Sequence, residues 1–160
     1  MKAVIFLLCS ISLLGIDISE LREKYPEAHT DKALTNNLNE KLATISIANE
    51  PKMVAYKGAV LTLMAKHAKA IKEKKMYFKE GVQFLESAVD KAPNDLEIRY
   101  LRLSVQEHAP KLVKYSSNIE EDKRFIQEKF KTQGNTVLKT YIKSYVKASS
   151  LFTDEEKQAF

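Results

Sequence analysis

The sequence predicts an all-α protein, and three observations carry that prediction. The chain has 160 residues and only four glycines, which disfavours hairpin-rich β architecture and glycine-rich phosphate loops. Apolar residues recur at steps of three and four, and no segment of comparable length alternates with a period of two. Proline and capping residues interrupt the pattern at short intervals. We therefore expect about seven helices in an array of antiparallel helical hairpins.

The N-terminus forms a separate segment. Fourteen uncharged residues follow the basic start Met1–Lys2. A transmembrane helix needs about 20 apolar residues, so this shorter stretch is typical of a secretory signal peptide. We predict a signal peptide over residues 1–15, with cleavage between 15 and 19, and a single α-helical domain over residues 16–160. A packed N-terminal helix and a retained anchor are the alternatives.

Removal of this leader would also remove the single cysteine of the chain, Cys9. The mature protein would then lack a thiol nucleophile, a redox pair and a thiolate zinc site. Bulky Leu8 precedes Cys9 where lipoprotein processing would need a small residue. We therefore expect an exported protein of the periplasm or cell envelope, without lipid attachment at this cysteine.

The helical pattern begins at residues 18–29, where Pro26 is expected to end the first helix. A second helix from Asp31 to about Ala48 follows from apolar residues at helical spacing. Asn49 offers a cap for a third helix, which has a first-turn proline and runs to about Lys72. Between residues 53 and 65 only Lys57 is charged, so this helix is expected to be the most buried.

The second half of the chain repeats these signals. A fourth helix is predicted over about residues 75–91, and Asn94 with Glu97 resembles a capping box that opens a fifth helix. Ser117 with Glu120 predicts another capping box for the next helix, and Gly134 is expected to end that helix in a left-handed conformation. A broad apolar stripe follows over residues 137–146. A third capping box, Thr153 with Glu156, opens a last short helix.

Two glycines lie inside predicted helices, where each costs about 1 kcal/mol relative to alanine. Because Gly58 and Gly81 lie on consecutive helices, they are expected to mark a close crossing of the two backbones. The segment with Gly81, Ala88 and Pro93 resembles the second helix of a tetratricopeptide repeat and the proline that ends it. This resemblance covers about residues 52–95 and implies a tetratricopeptide-like hairpin. Simple packing contacts in a nonrepeating bundle are the alternative.

The whole chain also resembles a group of exported, tetratricopeptide-like hypothetical proteins of Gram-negative bacteria. The features that carry the resemblance are the apolar leader and the segments YKGAV, KMYFKEGV and EIRYLR. The resemblance implies a helical architecture and export, and it brings no activity with it.

Catalytic signatures do not stand out. The three histidines, His29, His67 and His108, lack the spacing of a helical metal motif, and no serine lies in a GxSxG elbow. Acidic clusters fall in the first turns of predicted helices, where carboxylates stabilise the amide end. We expect no metal, no cofactor and no catalysis, with an enzyme of unknown class as the third hypothesis.

Lysines are concentrated at the turn between the third and fourth predicted helices. Glu73 is the single acid among six basic residues: Lys66, Lys69, Lys72, Lys74, Lys75 and Lys79. A positive hairpin tip is predicted, and an ordinary solvated face is the bland alternative. Lysine outnumbers arginine 22 to 4, which disfavours nucleic-acid readout and leaves an anionic membrane or polymer surface as a possible partner.

Arginine is scarce, and two of the four arginines lie three residues apart. Arg99 and Arg102 flank Tyr100 on the fifth predicted helix. On a concave surface of helical hairpins, arginine and tyrosine are common anchors, so these three residues are predicted to bind a protein or peptide partner. Pairing with acids of the same helix is the alternative. The first functional hypothesis is therefore an interaction module of the cell envelope, and the second is a module that binds anionic lipid or polymer through the lysine tip.

Overall fold

The computed structural model describes residues 16–160, so the predicted signal peptide and Cys9 lie outside the described residues. Eight α-helices follow one another without a strand in this part of the chain, and the predicted all-α class with about seven helices is confirmed. The helices are α1 (Ile18–Ala28), α2 (Lys32–Lys41), α3 (Pro51–His67), α4 (Ile71–Lys91), α5 (Leu96–His108), α6 (Ile119–Thr132), α7 (Thr136–Ala148) and α8 (Asp154–Gln158), with a 3-10 turn at Lys111–Val113.

The longest helices, α3 and α4, run antiparallel and touch backbone to backbone. A Cβ atom built on Gly58 would lie 2.7 Å from the carbonyl oxygen of Gly81, and one built on Gly81 would lie 2.7 Å from that of Gly58. Leu85 also meets Gly58 and Thr62 meets Gly81, so the two chain directions are opposed. The two glycines do face each other, because any side chain at either position would hold the helices apart.

Helix α5 packs against four other helices, α3, α4, α6 and α7. Its residues Leu96–Gln106 are all buried, in a helix of 13 residues. The prediction that α3 is the most buried helix is therefore wrong, since α3 buries ten of its 17 residues. The hydropathy of α5 does not indicate its burial, because its buried residues include Glu97, Arg99 and Arg102, whose charges are paired inside the protein.

Several helix ends differ from the predictions. Pro26 lies inside α1, which continues to Ala28 because Tyr25 and Ala28 are buried in the core and hold the last turn in place. Helix α2 ends at Lys41, well before Ala48. The chain then turns, and the Asn49 side chain accepts the Ser46 N–H at 2.8 Å, so it does not cap α3.

The start of α3 is capped by the carboxylate of Glu50, which accepts the Met53 N–H at 3.2 Å. Helix α3 ends at His67 rather than near Lys72, and α4 already begins at Ile71. Only residues 68–70 separate the two helices, so most of the predicted lysine tip belongs to the first turns of α4.

The predicted caps also have mixed outcomes. Asp95 caps α5 in place of Asn94. Asn118 precedes α6 without a side-chain cap, so the box expected at Ser117 and Glu120 is wrong. No described glycine has a positive φ, and Gly134 lies in an extended loop instead of a left-handed turn. The capping box of Thr153 and Glu156 is confirmed.

The hydrophobic core is continuous through all of these layers and reaches the C-terminal residue. Phe160 packs against Phe130 and Phe152, with ring centroids 4.6 and 5.6 Å apart, and so attaches α8 to the core. In the part of the chain described here, none of the helices combines the length and the hydropathy needed to cross a bilayer.

Candidate functional site

The predicted partner-binding residues of α5 are interior residues. Arg99, Tyr100 and Arg102 are only 6%, 3% and 4% exposed. The Tyr100 ring packs edge-on against Tyr141 and Tyr145 of α7, with centroids 4.9 and 5.0 Å away. The prediction of an exposed binding patch at these positions is therefore wrong. The three residues form a buried structural cluster, because the helices α4, α6 and α7 cover this part of α5.

The two arginines share one buried carboxylate, that of Asp122 on α6. Arg102 donates from Nε and Nη2 to the Asp122 oxygens at 2.7 and 2.8 Å, and Arg99 also pairs with Asp122. Glu121 and Glu86 accept from the outer sides of the two guanidinium groups. The alternative from the sequence was that the arginines pair with acids of their own helix. Neither of them does so. The network joins α4, α5 and α6, since each contributes a charged group.

A second buried ion pair joins α1 to α5. Arg22 donates from Nε and Nη2 to both carboxylate oxygens of Glu97, at 2.6 and 2.7 Å. The Tyr56 hydroxyl donates to the same carboxylate at 2.8 Å. Burial, followed by the negative charge of Glu97, raises the pKa of Tyr56 well above its ordinary value. This carboxylate is enclosed and fully hydrogen-bonded, which suits a structural role.

The six predicted tip lysines are all exposed around the α3–α4 turn. Lys66 lies in the last turn of α3 and donates to the His29 carbonyl oxygen at 2.8 Å. Among the described residues, no acid lies within salt-bridge distance of the other five. Four lysines elsewhere in the described chain form salt bridges, for example Lys52 with Asp95 at 3.0 Å. The tip thus carries an excess of positive charge, six lysines against Glu73.

Exposed apolar side chains lie among these lysines. Ile71, in the first turn of α4, is 71% exposed, and Met76 is also exposed on the next turn. Lys72, Met76 and Lys79 follow at steps of four and three and so share one helical face. Large apolar side chains are scattered singly on most protein surfaces, so a group of them at one basic end is informative.

A second exposed element, the turn Lys111–Lys114, lies at the same end of the molecule. Its Leu112 is 91% exposed, and Val113 beside it is also exposed. Two contacts place this turn near the tip. Tyr115, which follows the turn, packs against Phe78 of α4, and His108, which precedes it, stands edge-on at 5.1 Å to His29, whose carbonyl oxygen accepts from Lys66. We call residues 66–79 and 111–114 together the basic end, which carries eight lysines.

The backbone fixes the Lys111–Lys114 turn in place. Lys114 has φ 52° and ψ 35°, the left-handed region that non-glycine residues rarely adopt. The next residue, Tyr115, points inward, with its ring 6.0 Å from that of Phe78 and its hydroxyl bonded to Glu86. Strained backbone persists where the surrounding structure holds it, and here the contacts of Tyr115 hold the residue that follows Lys114.

The three histidines converge beside the basic end, which their sequence spacing did not indicate. Burial, then the neighbouring His108, Lys66 and His67, lowers the pKa of His29 to about 4. His29 is therefore neutral at physiological pH. Across residues 16–160 no group of three His, Cys, Asp or Glu side chains is arranged to hold a metal ion.

Two shallow grooves lie elsewhere on the surface. One lies between α1 and α7 and is lined in part by Arg22, Val137 and Tyr141. The other lies between α6 and α8 and is lined mainly by charged side chains, including Arg124 and Glu155. Neither groove is lined by a residue of the basic end.

Sequence reasoning identified the lysines of the basic end but missed its apolar residues. The segment KLVK follows Pro110, and its two apolar residues between lysines belong to no helical stripe. That absence of periodicity was the available signal, since an apolar pair outside any stripe has no core face to join. No protein-family model, curated protein or solved structure matches this chain.

Proposed function

We propose that this protein is a non-catalytic binding module that docks its basic end on an anionic surface of the cell envelope. The observation that carries the proposal is the exposed positive charge of that end: eight exposed lysines in residues 66–79 and 111–114 against the single acid Glu73. Exposed lysines near an anionic surface each contribute about 1 kcal/mol, and their contributions add while the surface is flat enough to meet them all.

The arrangement of lysine suits a broad anionic surface better than a small anion. Lysine presents a single mobile point charge, whereas bidentate recognition of one phosphate or carboxylate uses arginine. Both arginines near the centre of the chain, Arg99 and Arg102, are occupied by Asp122. The proposal therefore replaces the peptide-binding hypothesis, whose predicted anchors are buried.

The direct test is binding of the chain that begins at Ile16, without the apolar leader, to vesicles of phosphatidylcholine with about one-third phosphatidylglycerol, and to polyphosphate. Affinity for either is expected to fall steeply from about 0.1 M to about 1 M salt, as the Debye length falls from about 10 Å to about 3 Å. Replacing two lysines, Lys72→Gln with Lys75→Gln, should weaken binding about 25-fold, at about 1 kcal/mol for each lysine.

The matched control removes the same charge at the far end of the molecule. Lys91→Gln with Lys131→Gln alters two exposed lysines at the C-terminal ends of α4 and α6, and should change binding less than about twofold. Salt-independent binding, or equal losses in the two double variants, would show that the basic end is not the docking surface.

Export of the protein is part of the proposal. Cleavage after residue 15 would leave Ile16 in the core and Asp17 as the cap of α1, where its side chain accepts the Glu20 N–H at 2.8 Å. Cleavage after Ser19 would remove both. N-terminal sequencing of the protein recovered from cells is therefore expected to give a start at Ile16, and an intact Met1 would contradict export.

A further inference from the structure

We infer that the anionic surface is a lipid bilayer, into which the basic end inserts Ile71 and Leu112. This inference rests on the proposed function and adds the partner to it. The two side chains are the most exposed large apolar residues among those described, at 71% and 91% exposed. Both lie in the basic end, so electrostatic docking would bring them against the partner.

The chemistry of the basic end fits a bilayer and not a dissolved polyanion. A bilayer presents anionic headgroups with an apolar phase directly beneath, and interfacial protein segments bury apolar side chains about 5–10 Å into that boundary. A polyanion in water would meet the lysines and leave Leu112 and Ile71 as exposed as before. The lysines therefore favour an anionic surface, and the exposed apolar residues favour one that has an apolar interior beneath it.

The neighbouring residues support insertion at both positions. Lys69 and Lys72 flank Ile71, and Lys111 precedes Leu112. Lysine stems are apolar and long enough to let the ammonium group stay in the headgroup layer while its neighbour goes deeper. The left-handed backbone at Lys114 and the inward anchor at Tyr115 hold the turn, so Leu112 is presented without the cost of ordering a flexible loop.

The absence of tryptophan from the sequence gives a direct readout. Leu112→Trp places a unique indole at the proposed insertion point, and Val137→Trp places one at another exposed position, 61% exposed, in the α1–α7 groove away from the basic end. On phosphatidylglycerol-containing vesicles the Leu112→Trp emission should shift to shorter wavelength and be shielded from iodide. The Val137→Trp emission should remain unshifted and accessible.

A second pair of variants measures the energetic contribution. Ile71→Ser with Leu112→Ser is expected to weaken vesicle binding about 10- to 100-fold, because each side chain loses its burial in the apolar phase. The same variant should bind polyphosphate as tightly as the unaltered chain. Ile47→Ser with Val137→Ser, which removes two exposed apolar residues elsewhere, should bind vesicles normally.

The outcomes separate this inference from the proposed function. An unshifted Leu112→Trp signal on bound vesicles, or normal vesicle binding by the Ile71→Ser/Leu112→Ser variant, overturns insertion while the charge-based function stands. Binding to polyphosphate but not to vesicles also overturns the inference and identifies a soluble polyanion as the partner. Vesicle binding that is equal in every lysine and apolar variant would overturn both.

Discussion

Replacement of Gly58 by alanine tests the close crossing of α3 and α4. The added Cβ atom would lie 2.7 Å from the Gly81 carbonyl oxygen and 2.8 Å from the Leu85 amide nitrogen, where ordinary contact begins at 3.4 Å. The shortfall is about 0.7 Å against backbone atoms, which cannot rotate away as a side chain can. The two helices would therefore have to move apart along much of their contact, which is the most extensive between any two helices here.

The expected magnitude is a balance of two effects. Alanine stabilises a helix interior by about 1 kcal/mol relative to glycine. Overpacking costs about 1–3 kcal/mol, and a clash between two backbones lies at or above the upper end of that range. Gly58→Ala should therefore destabilise the fold by about 2 kcal/mol. In a chain of this size, that lowers the melting temperature by about 4–8 °C.

Gly134→Ala is the matched control, because the same change is made where a Cβ atom would meet nothing within 4 Å. No described glycine has a positive φ, so alanine fits there without strain and should stabilise by about 0.4–1 kcal/mol through the unfolded state. Urea unfolding and circular dichroism measure both variants. A Gly58→Ala protein as stable as the unaltered chain would refute the crossing geometry.

Three further outcomes are expected. Asp122→Ala should cost about 3–5 kcal/mol in urea unfolding, because it leaves two guanidinium groups buried without their shared carboxylate, and a cost below about 1 kcal/mol would contradict the network. Because His29 has a folded pKa of about 4 against 6.5 in the unfolded chain, its contribution to stability is complete above about pH 6.5 and is lost as the pH falls toward 4. After allowing for partial exposure, this effect lowers the free energy of unfolding by about 2 kcal/mol between pH 7 and about pH 4.5. In His29→Gln the decrease between these two pH values should be smaller by that amount. A decrease equal to that of the unaltered chain would argue against a neutral, buried ring. Ile71→Ser with Leu112→Ser should leave the free energy of unfolding within about 0.5 kcal/mol of that of the unaltered chain, since neither side chain packs against the core.

The glycines show how far local sequence logic reaches in this protein. An interior glycine is costly in a helix, so two of them on consecutive helices indicated a close approach before any contact was known. The same logic failed for Gly134, because a glycine after a helix can end it in the left-handed region or simply lie in a loop. The difference depends on the path of the following helix, which the local residues do not specify.

The burial of the two arginines of α5 could not be predicted from the neighbouring residues. Their pattern on α5 indicates an exposed charged face, and the helix was expected to be less buried than α3. The partners that make burial possible, Asp122 and Glu86, are 20 and 16 residues from Arg102 in the sequence and lie on other helices. Nothing in the spacing of α5 indicates them, because a buried ion pair is stabilised by groups brought together only in the folded chain.

The sequence by itself determined the helical class, the approximate helices and the six lysines of the tip, since periodicity, caps and local charge are properties of neighbouring residues. Only the tertiary structure decided which charges face solvent. It buried Arg99 and Arg102 beside Asp122 and brought Leu112 to the end that carries the lysines. Those outcomes depend on contacts between residues far apart in the chain, where packing and the cost of burying charge, rather than local preference, determine the result.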